Sequence, residues 1–314
     1  MHKTLTLSMA AACALALGAC VTKIEPDDDI DRPLSWSELI ALKAPPPQRD
    51  PLPYGGNAPQ QFGELRLPAG PGPHPLAILI HGGCWGAGYD LGYMRPLAAA
   101  LNTLGFATWL IEYRRVGGDD GGGWPTTFTD VALAADYVRV LADYYPVDAR
   151  RVIAVGHSAG GQLALWLAAR RQMPQGSPLY VDEPLPIHGV VGLAAITDLE
   201  KYRVGPRNSC HSMVDEVLGG EPSQVPSRYA QVSPVALLPL GVPQWFLHGA
   251  HDAIVPPETL AQYADRARRA GDSVTIHTDA NGGHFDVVAP QGASWDSLVA
   301  IFHDVLRRLS SAGR

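Results

Sequence analysis

Short apolar runs recur along the body of the chain and alternate with segments of helical spacing or with glycine-rich loops. The runs that predict strands cover residues 62–67, 76–80, 106–113, 152–155, 188–196, 244–247 and 273–278. Most are apolar without interruption, as strands buried on both faces are, and only the first alternates like an edge strand. This pattern predicts an α/β fold with a mostly parallel twisted sheet and helices on both faces.

Helical spacing is clearest after residue 161, over residues 128–144, and at residues 295–309, where one apolar face predicts a closing amphipathic helix. The alternation breaks at residues 200–238, where prolines surround a short helical pattern at residues 213–218. We interpret this stretch as a small lid insertion over the strand ends. Without a repeat or a second linker, the body is one domain over residues 61–314.

The N-terminus carries an apolar stretch at residues 5–17, which is too short to span a bilayer and has the length of a secretory signal. It ends in Leu-Gly-Ala-Cys, which resembles the lipobox of bacterial lipoproteins, with Cys20 as the lipidated residue. The alternative is an ordinary signal cleaved near Ala19. We predict a signal peptide at residues 1–19 and a lipidated tether, rich in Asp and Pro, at residues 20–60.

Lipidation implies a membrane anchor in the bacterial cell envelope, and Val21 after the cysteine favours the outer membrane by resemblance to known sorting. The net charge of −7 is mild and leaves no basic surface for nucleic acid. Four cysteines are present, and Cys84 and Cys210 are the two outside the N-terminal segment. In an oxidising compartment they are a candidate disulfide; the alternative is two unrelated buried thiols.

A candidate nucleophile follows the strand at residues 152–155, where Gly156, Ser158 and Gly160 match G-x-S-x-G. This spacing is typical of a tight strand-to-helix turn that presents the serine in front of the sheet. The N-terminus of the following helix would face the developing negative charge of an attacked carbonyl. Phosphate-binding turns have a similar glycine content, so the motif alone leaves both interpretations open.

A second glycine-rich loop, His81-Gly82-Gly83-Cys84-Trp85, follows the apolar run at residues 76–80. Parallel strands place this loop at the same sheet edge as Ser158. An acyl-transfer serine needs preorganised N–H donors for its oxyanion. We predict that Gly82, Gly83 and Ala159 supply them. Glu112, Arg114 and Arg115 end a neighbouring strand, and we expect them to pair with each other and brace this loop.

These motifs resemble the α/β-hydrolase superfamily, in its branch of serine esterases with an HGG oxyanion loop, over residues 62–309. Hormone-sensitive-lipase-like members usually show HGGG and GDSAG, whereas this chain has Cys84 and His157 at the variable places. HGG-x-W with GHSAGG is more similar to arylformamidases and to feruloyl and acetylxylan esterases. The resemblance implies an α/β-hydrolase fold and a Ser-His-Asp triad that needs no cofactor.

In that family the acid follows a late strand within G-x-x-D-x-x-V-P, which here selects Asp252. His284 follows the last predicted strand, so the chain order is Ser158, Asp252, His284, as the superfamily resemblance implies. Asp198 also follows a strand and is interpreted as a supporting residue. His248, His251 and Asp252 share one loop, but no HExxH or CxxC pattern accompanies them, and we predict no metal site.

The combined prediction is a hydrolase of small-molecule carboxylic esters that acts through an acyl-enzyme. An arylformamidase and a peptidase of the prolyl-oligopeptidase kind would use the same machinery on amides, although this chain has no propeller domain, which disfavours the peptidase. A non-catalytic lipoprotein with a hydrolase fold is the alternative outside enzymes.

Overall fold

The computed structural model describes residues 32–206, 209–290 and 292–311. Its centre is one eight-stranded sheet in the order β1-β2-β4-β3-β5-β6-β7-β8. The strands are β1 Leu52–Pro53, β2 Phe62–Arg66, β3 His74–Ile80, β4 Ala107–Ile111, β5 Val147–His157, β6 Val190–Leu193, β7 Gln244–Gly249 and β8 Val274–Asp279. Strands β1, β2 and β4 pair antiparallel, and every pair from β4 to β8 is parallel. The predicted fold class is confirmed.

The α-helices pack on both faces of this sheet, and the last of them, α10, ends the described chain. They are α1 Trp36–Ala41, α2 Arg95–Thr103, α3 Thr126–Asp136, α4 Val138–Tyr144, α5 Ala159–Ala169, α6 Leu199–Tyr202, α7 Met213–Leu218, α8 Pro226–Val232, α9 Pro257–Arg269 and α10 Trp295–Ser311. The single helix expected over residues 128–144 is two helices that meet at Tyr137.

The central strand shows why its sequence has no polar alternation. Val152 and Ala154 pack into the apolar layer on one face of the sheet, while Ile153 and Val155 pack into the layer on the other. All four are fully buried. A strand covered by helices on both faces must be apolar at every position, which is the pattern that identified it.

The parallel strands bring every predicted catalytic loop to one edge of the sheet. The loops that follow β3, β5, β7 and β8 leave from the carboxyl ends of these strands, because the strands run in the same direction. The segment between β6 and β7 holds α6, α7 and α8 and corresponds to the predicted insertion at residues 200–238.

The predicted tether is wrong from residue 32 onward, since the described residues from 32 to 311 belong to one compact unit. Helix α1 begins at a capping box in which Ser35 and Glu38 exchange hydrogen bonds, and Leu39 is 1% exposed in the core beside α10. The Asp- and Pro-rich composition predicted a solvent-exposed segment. The few apolar residues that anchor it to the core are too few to change that composition. The predicted signal peptide and Cys20 lie outside the described residues. No helix within residues 32–311 that the structure describes is long and apolar enough to cross a membrane.

Candidate active site

Ser158 lies at the corner between β5 and α5 in a conformation that few residues adopt. Its φ is 55° and its ψ is −119°. A side chain on Gly156 would overlap the carbonyl of Gly160, and one on Gly160 would overlap the carbonyls of Ile80 and His81. The two glycines are therefore required by close backbone approaches, and the turn holds Ser158 at the N-terminus of α5.

His284 is oriented by Asp252 across 32 residues of sequence. The Nδ1 atom of His284 lies 2.8 Å from Oδ2 of Asp252. The other oxygen of Asp252 accepts the N–H groups of Ile254 and Val255, each at 2.8 Å. Burial raises the pKa of the Asp252 carboxyl, but the bonds from His284 and Val255 outweigh it, and the net pKa is below its usual value. An ionised Asp252 accepts from Nδ1–H, so Nε2 of His284 has a free lone pair.

His157, the residue before Ser158, connects the serine turn to the His284–Asp252 pair. The rings of His157 and His284 lie 4.7 Å apart, and Nε2 of His157 is 2.9 Å from the carbonyl oxygen of His284. The hydroxyl of Ser158 makes no hydrogen bond to another described residue. In unliganded hydrolases this bond commonly forms only with substrate present. Ser158, Asp252 and His284 thus lie at one edge of the sheet.

The loop after β3 is braced by a buried carboxylate. Nε2 of His81 is 2.8 Å from Glu112 and its Nδ1 is 2.8 Å from the carbonyl of Gly82. Arg115 lies 3.3 Å from the same Glu112 oxygen. Burial raises the pKa of Glu112, but the nearby His81 and Arg115 lower it by more than burial raises it. The net pKa of Glu112 is therefore below its usual value. The expected pairing of strand-end charges occurs here, whereas Arg114 pairs with Asp130 instead.

The predicted role of Gly82 as an oxyanion donor is wrong. Its N–H donates to the hydroxyl of Tyr93 at 2.6 Å, and a committed donor is not available to a substrate. The N–H groups of Gly83, Cys84 and Ala159 have no acceptor among the described residues. Cys84 has a φ of 55°, which is rare for a residue with a side chain. The N–H groups of Gly83, Cys84 and Ala159, rather than that of Gly82, are therefore the candidate oxyanion donors.

A disulfide joins Cys84 to Cys210, as proposed from the cysteine count. It crosses 126 positions of sequence and links the oxyanion loop to the insertion between β6 and β7. Trp85 ties the same loop to α5, since its Nε1 donates to Gln162 at 3.1 Å. The Nε2 atom of Gln162 donates to Val232 of the insertion at 2.8 Å. The insertion and the oxyanion loop are thus held together by one covalent and two polar contacts.

The N-terminal segment reaches the catalytic edge, which the sequence analysis missed. The N–H of Leu34 donates to Asp286 at 3.1 Å, and Asp286 also accepts the N–H of Gly283 at 2.7 Å. The Trp36 ring packs 5.6 Å from Phe285 and 5.3 Å from Tyr93. No local signal in residues 32–42 indicates this placement, because the contacts with Asp286 and Phe285 join positions about 250 residues apart.

The remaining candidates have structural roles. Asp198 caps α6, where its side chain accepts the N–H of Lys201 at 3.1 Å. His248 places Nε2 2.8 Å from the carbonyl of Val255 and 3.5 Å from Asp252. Within residues 32–206, 209–290 and 292–311, no three His, Cys, Asp or Glu side chains are grouped in a way that would hold a metal ion.

The fold agrees with that of solved structures of other proteins. The chain superposes with a TM-score of 0.68 on the truncated form of a carbohydrate esterase from gut microbiota, at 21% identity, covering 81% of this chain and 94% of the other. The apo form of Thermogutta terrifontis esterase 2 gives a TM-score of 0.68 at 20% identity and covers 85% of this chain and 98% of that one. These likenesses show an α/β-hydrolase fold.

Sequence comparison gives a relative and a family. The probable carboxylic ester hydrolase LipM of Mycobacterium tuberculosis is 24% identical over 210 residues, which are 66% of this chain. The chain matches about half of the length of that relative, 48%. The model of the BD-FAE family matches residues 65–265, which include the oxyanion loop, Ser158 and Asp252. Because this match extends over more than half of the sequence, the chain belongs to the BD-FAE family.

Proposed function

We propose that the protein is a serine hydrolase that cleaves carboxylic esters through an acyl-enzyme. The observation that carries the proposal is Ser158 at a strained turn, at the same edge as the His284–Asp252 pair with its 2.8 Å bond. A nucleophile, a base and an orienting carboxylate are the groups that acyl transfer requires. All three side chains are at least nine-tenths buried, which keeps bulk water away from them.

In the first half of the reaction, Nε2 of His284 takes the proton of Ser158 while Oγ attacks the acyl carbon. The carbonyl oxygen becomes negative and is stabilised by the N–H groups of Gly83, Cys84 and Ala159. The C–O bond to the alcohol then breaks, and His284 returns the proton to the leaving oxygen. Asp252 remains ionised throughout and stabilises the imidazolium.

In the second half, water takes the place of the alcohol. His284 removes one of its protons, the hydroxide oxygen attacks the acyl-enzyme, and the C–O bond to Ser158 breaks. The proton passes back to the serine oxygen, and the free acid leaves. No cofactor enters either half, since every proton and electron pair is supplied by the triad, the ester and water.

The test is covalent labelling combined with turnover. A fluorophosphonate probe should label Ser158, and p-nitrophenyl acetate should be hydrolysed by the same preparation. Ser158→Ala should abolish labelling and lower kcat by several orders of magnitude. Ser233→Ala, which removes another buried serine hydroxyl, is the matched control and should retain labelling. Hydrolysis by folded Ser158→Ala at the rate of this control would overturn the proposal.

The substrate class we propose is an ester of a small carbohydrate-linked or aromatic acid. One support is that a structural neighbour is a carbohydrate esterase from gut microbiota. Another is the set of partly exposed aromatic rings of Trp36, Tyr89 and Phe285 beside the site. A panel of acetylated sugars, feruloyl esters, longer-chain esters and N-formyl anilines should rank the sugar or feruloyl esters first by kcat/KM. Preference for the formanilides would instead identify an arylformamidase.

We further propose that Cys20 carries a lipid that anchors the enzyme in the bacterial envelope, with the outer membrane as its destination. The support is the sequence Leu17-Gly18-Ala19-Cys20 after an apolar stretch, with Val21 next. Full-length protein expressed with labelled palmitate should incorporate label and enter the detergent phase. Cys20→Ala should do neither while retaining esterase activity. Equal membrane recovery of both proteins would contradict the anchor.

A further inference from the structure

A buried chain of hydrogen bonds joins three catalytic segments, and none of its side chains belongs to the triad. The N–H of Gly82 lies 2.6 Å from the hydroxyl oxygen of Tyr93. That oxygen lies 2.8 Å from Nδ1 of His157, and Nε2 of His157 lies 2.9 Å from the carbonyl oxygen of His284. Tyr93 is 6% exposed and His157 is 2% exposed, so water competes little for these bonds.

Only one arrangement of hydrogens satisfies this chain. The carbonyl of His284 accepts and never donates, so Nε2 of His157 must carry a hydrogen. Burial, followed by the neighbouring His284, lowers the pKa of His157 to about 3, so the ring is neutral and Nδ1 has a lone pair. The hydroxyl of Tyr93 must then donate to Nδ1, and its oxygen accepts from Gly82. Every group is used once and in a fixed direction.

The two ends of this chain of hydrogen bonds are backbone groups of catalytic segments whose positions affect the reaction. One end is the peptide that enters the oxyanion loop, directly before the free N–H groups of Gly83 and Cys84. The other end is the backbone of the residue that carries the general base. His157 lies between them and directly precedes Ser158. The side chains of Tyr93 and His157 therefore connect the oxyanion loop, the nucleophile turn at residues 156–161 and the histidine loop at residues 279–286.

We propose that Tyr93 and His157 are positioning residues that set the distance between the base, the nucleophile and the oxyanion donors. The proposal rests on the serine hydrolase function given above. Other side chains hold this loop at other atoms: Asp252 orients the His284 ring, Asp286 accepts the N–H of Gly283, and Asp279 accepts the N–H groups of Asn281 and Gly282. The hydrogen bond from His157 acts on the carbonyl of His284 itself. Misplacement of a catalytic group by about 1 Å costs on the order of 100-fold in rate.

A histidine is well suited to this place, because it offers a donor and an acceptor on one rigid neutral ring. A glutamine offers the same pair of groups, an amide N–H for the carbonyl of His284 and an amide oxygen for the Tyr93 hydroxyl. A leucine fills similar space and offers neither. Glutamine and leucine at position 157 therefore separate the hydrogen bonding of His157 from its volume.

The experiment measures kcat and KM for p-nitrophenyl acetate and the rate of fluorophosphonate labelling at a temperature where every variant is folded by circular dichroism. Tyr93→Phe and His157→Leu should lower kcat and the labelling rate by about 10- to 100-fold while KM stays within about threefold. His157→Gln should recover most of the loss. The double variant Tyr93→Phe/His157→Leu should be no slower than the worse single variant, because both break one chain.

Tyr263→Phe is the matched control. Tyr263 is also buried, at 1% exposure, and its hydroxyl donates to Gln244 at 2.8 Å, away from the catalytic edge. This variant should lose stability with kcat unchanged. A folded Tyr93→Phe with the kcat of Tyr263→Phe, or His157→Gln as slow as His157→Leu, would overturn the positioning role. If the wild-type protein neither hydrolyses the ester nor reacts with the probe, the proposed function fails instead, so the two failures are distinguishable.

Discussion

The nucleophile turn at residues 156–161 and the histidine loop at residues 279–286 lie at the same edge of the sheet, but different forces shape them. In the turn, glycines permit backbone approaches that any side chain would block. The histidine loop depends on partners from elsewhere in the chain, among them Asp252, His157 and Leu34. A steric requirement is met or not met, whereas a set of polar contacts can be removed one at a time. We therefore expect abrupt effects in the turn and graded effects at the loop.

Gly160→Ala should have the largest effect. Its new methyl would overlap the carbonyl oxygens of Ile80 and His81, which are backbone atoms of the central sheet and its oxyanion loop. We expect a loss of more than about 4 kcal/mol in unfolding free energy, or no soluble protein, and no measurable esterase activity. Thermal unfolding and ester hydrolysis measure this. Gly176→Ala has open space around it and should change neither; Gly160→Ala with the same melting temperature as Gly176→Ala would refute the steric account.

Asp252→Asn should come next. The amide keeps the volume but lets His284 adopt the tautomer that protonates Nε2, so kcat should fall about a thousandfold or more with the fold intact. Steady-state kinetics at pH 8 test this. Asp198→Asn alters only a helix cap and should cost less than about threefold in kcat. If Asp198→Asn is the more damaging of the two, Asp252 is not the acid of the triad.

The oxyanion loop combines the two kinds of support, since Cys84 has a φ of 55° and is tied to Cys210. Cys210→Ser should lower the unfolding free energy by about 2–4 kcal/mol and kcat by about tenfold, because the N–H of residue 84 is no longer held. Cys84→Gly also lacks the disulfide, but glycine adopts this φ without strain. It should lose similar stability and keep more of kcat. Equal kcat in both variants and the wild type would show that the disulfide does not contribute to catalysis.

Trp36→Ala tests the outer support of the histidine loop. The ring packs against Phe285 and Tyr93 without touching the triad, so we expect a fewfold decrease in kcat and about 1–3 kcal/mol of destabilisation. Ile40→Ala, at a position 51% exposed on the same helix, should leave kcat unchanged. Identical kinetics for the two variants would show that α1 contributes to stability alone.

The smallest effect should be a pH dependence of stability. Burial and the nearby His284 lower the pKa of His157 to about 3, with Asp252 and His248 also close, whereas in the unfolded chain it is 6.5. Between these values the unfolded state binds the extra proton, so stability is fully present above pH 6.5 and decreases as the pH falls toward 3. The slope is about 1.4 kcal/mol per pH unit, or about 2 kcal/mol at pH 5.

His157→Gln does not titrate and removes this contribution. Denaturant unfolding at pH 7 and pH 5 should therefore show a loss about 2 kcal/mol smaller for His157→Gln than for the wild type. Other titrating groups are common to both proteins and cancel in the comparison. The same pH dependence in both would show that His157 is not held neutral in the folded state.

The sheet and the nucleophile turn were predictable because their causes are local. A strand covered on both faces must be apolar at each position, as residues 152–155 are. A turn with close backbone contacts must place glycines two residues before and after the serine. The sequence therefore indicated the strands, the position of Ser158, and the sheet edge at which Asp252 and His284 lie.

Only the tertiary structure decided which groups form hydrogen bonds with each other at that edge of the sheet. The N–H of Gly82 is taken by Tyr93, the carbonyl of His284 by His157, and the carboxylate of Asp286 by Leu34. Tyr93 and Leu34 belong to no motif, and the position of His157 inside the serine motif does not indicate which group it binds. Sequence alone determined where the chain turns and which side chains follow the strands, because sterics and burial act on neighbours; long-range hydrogen bonds exist only once the sheet has brought distant segments together.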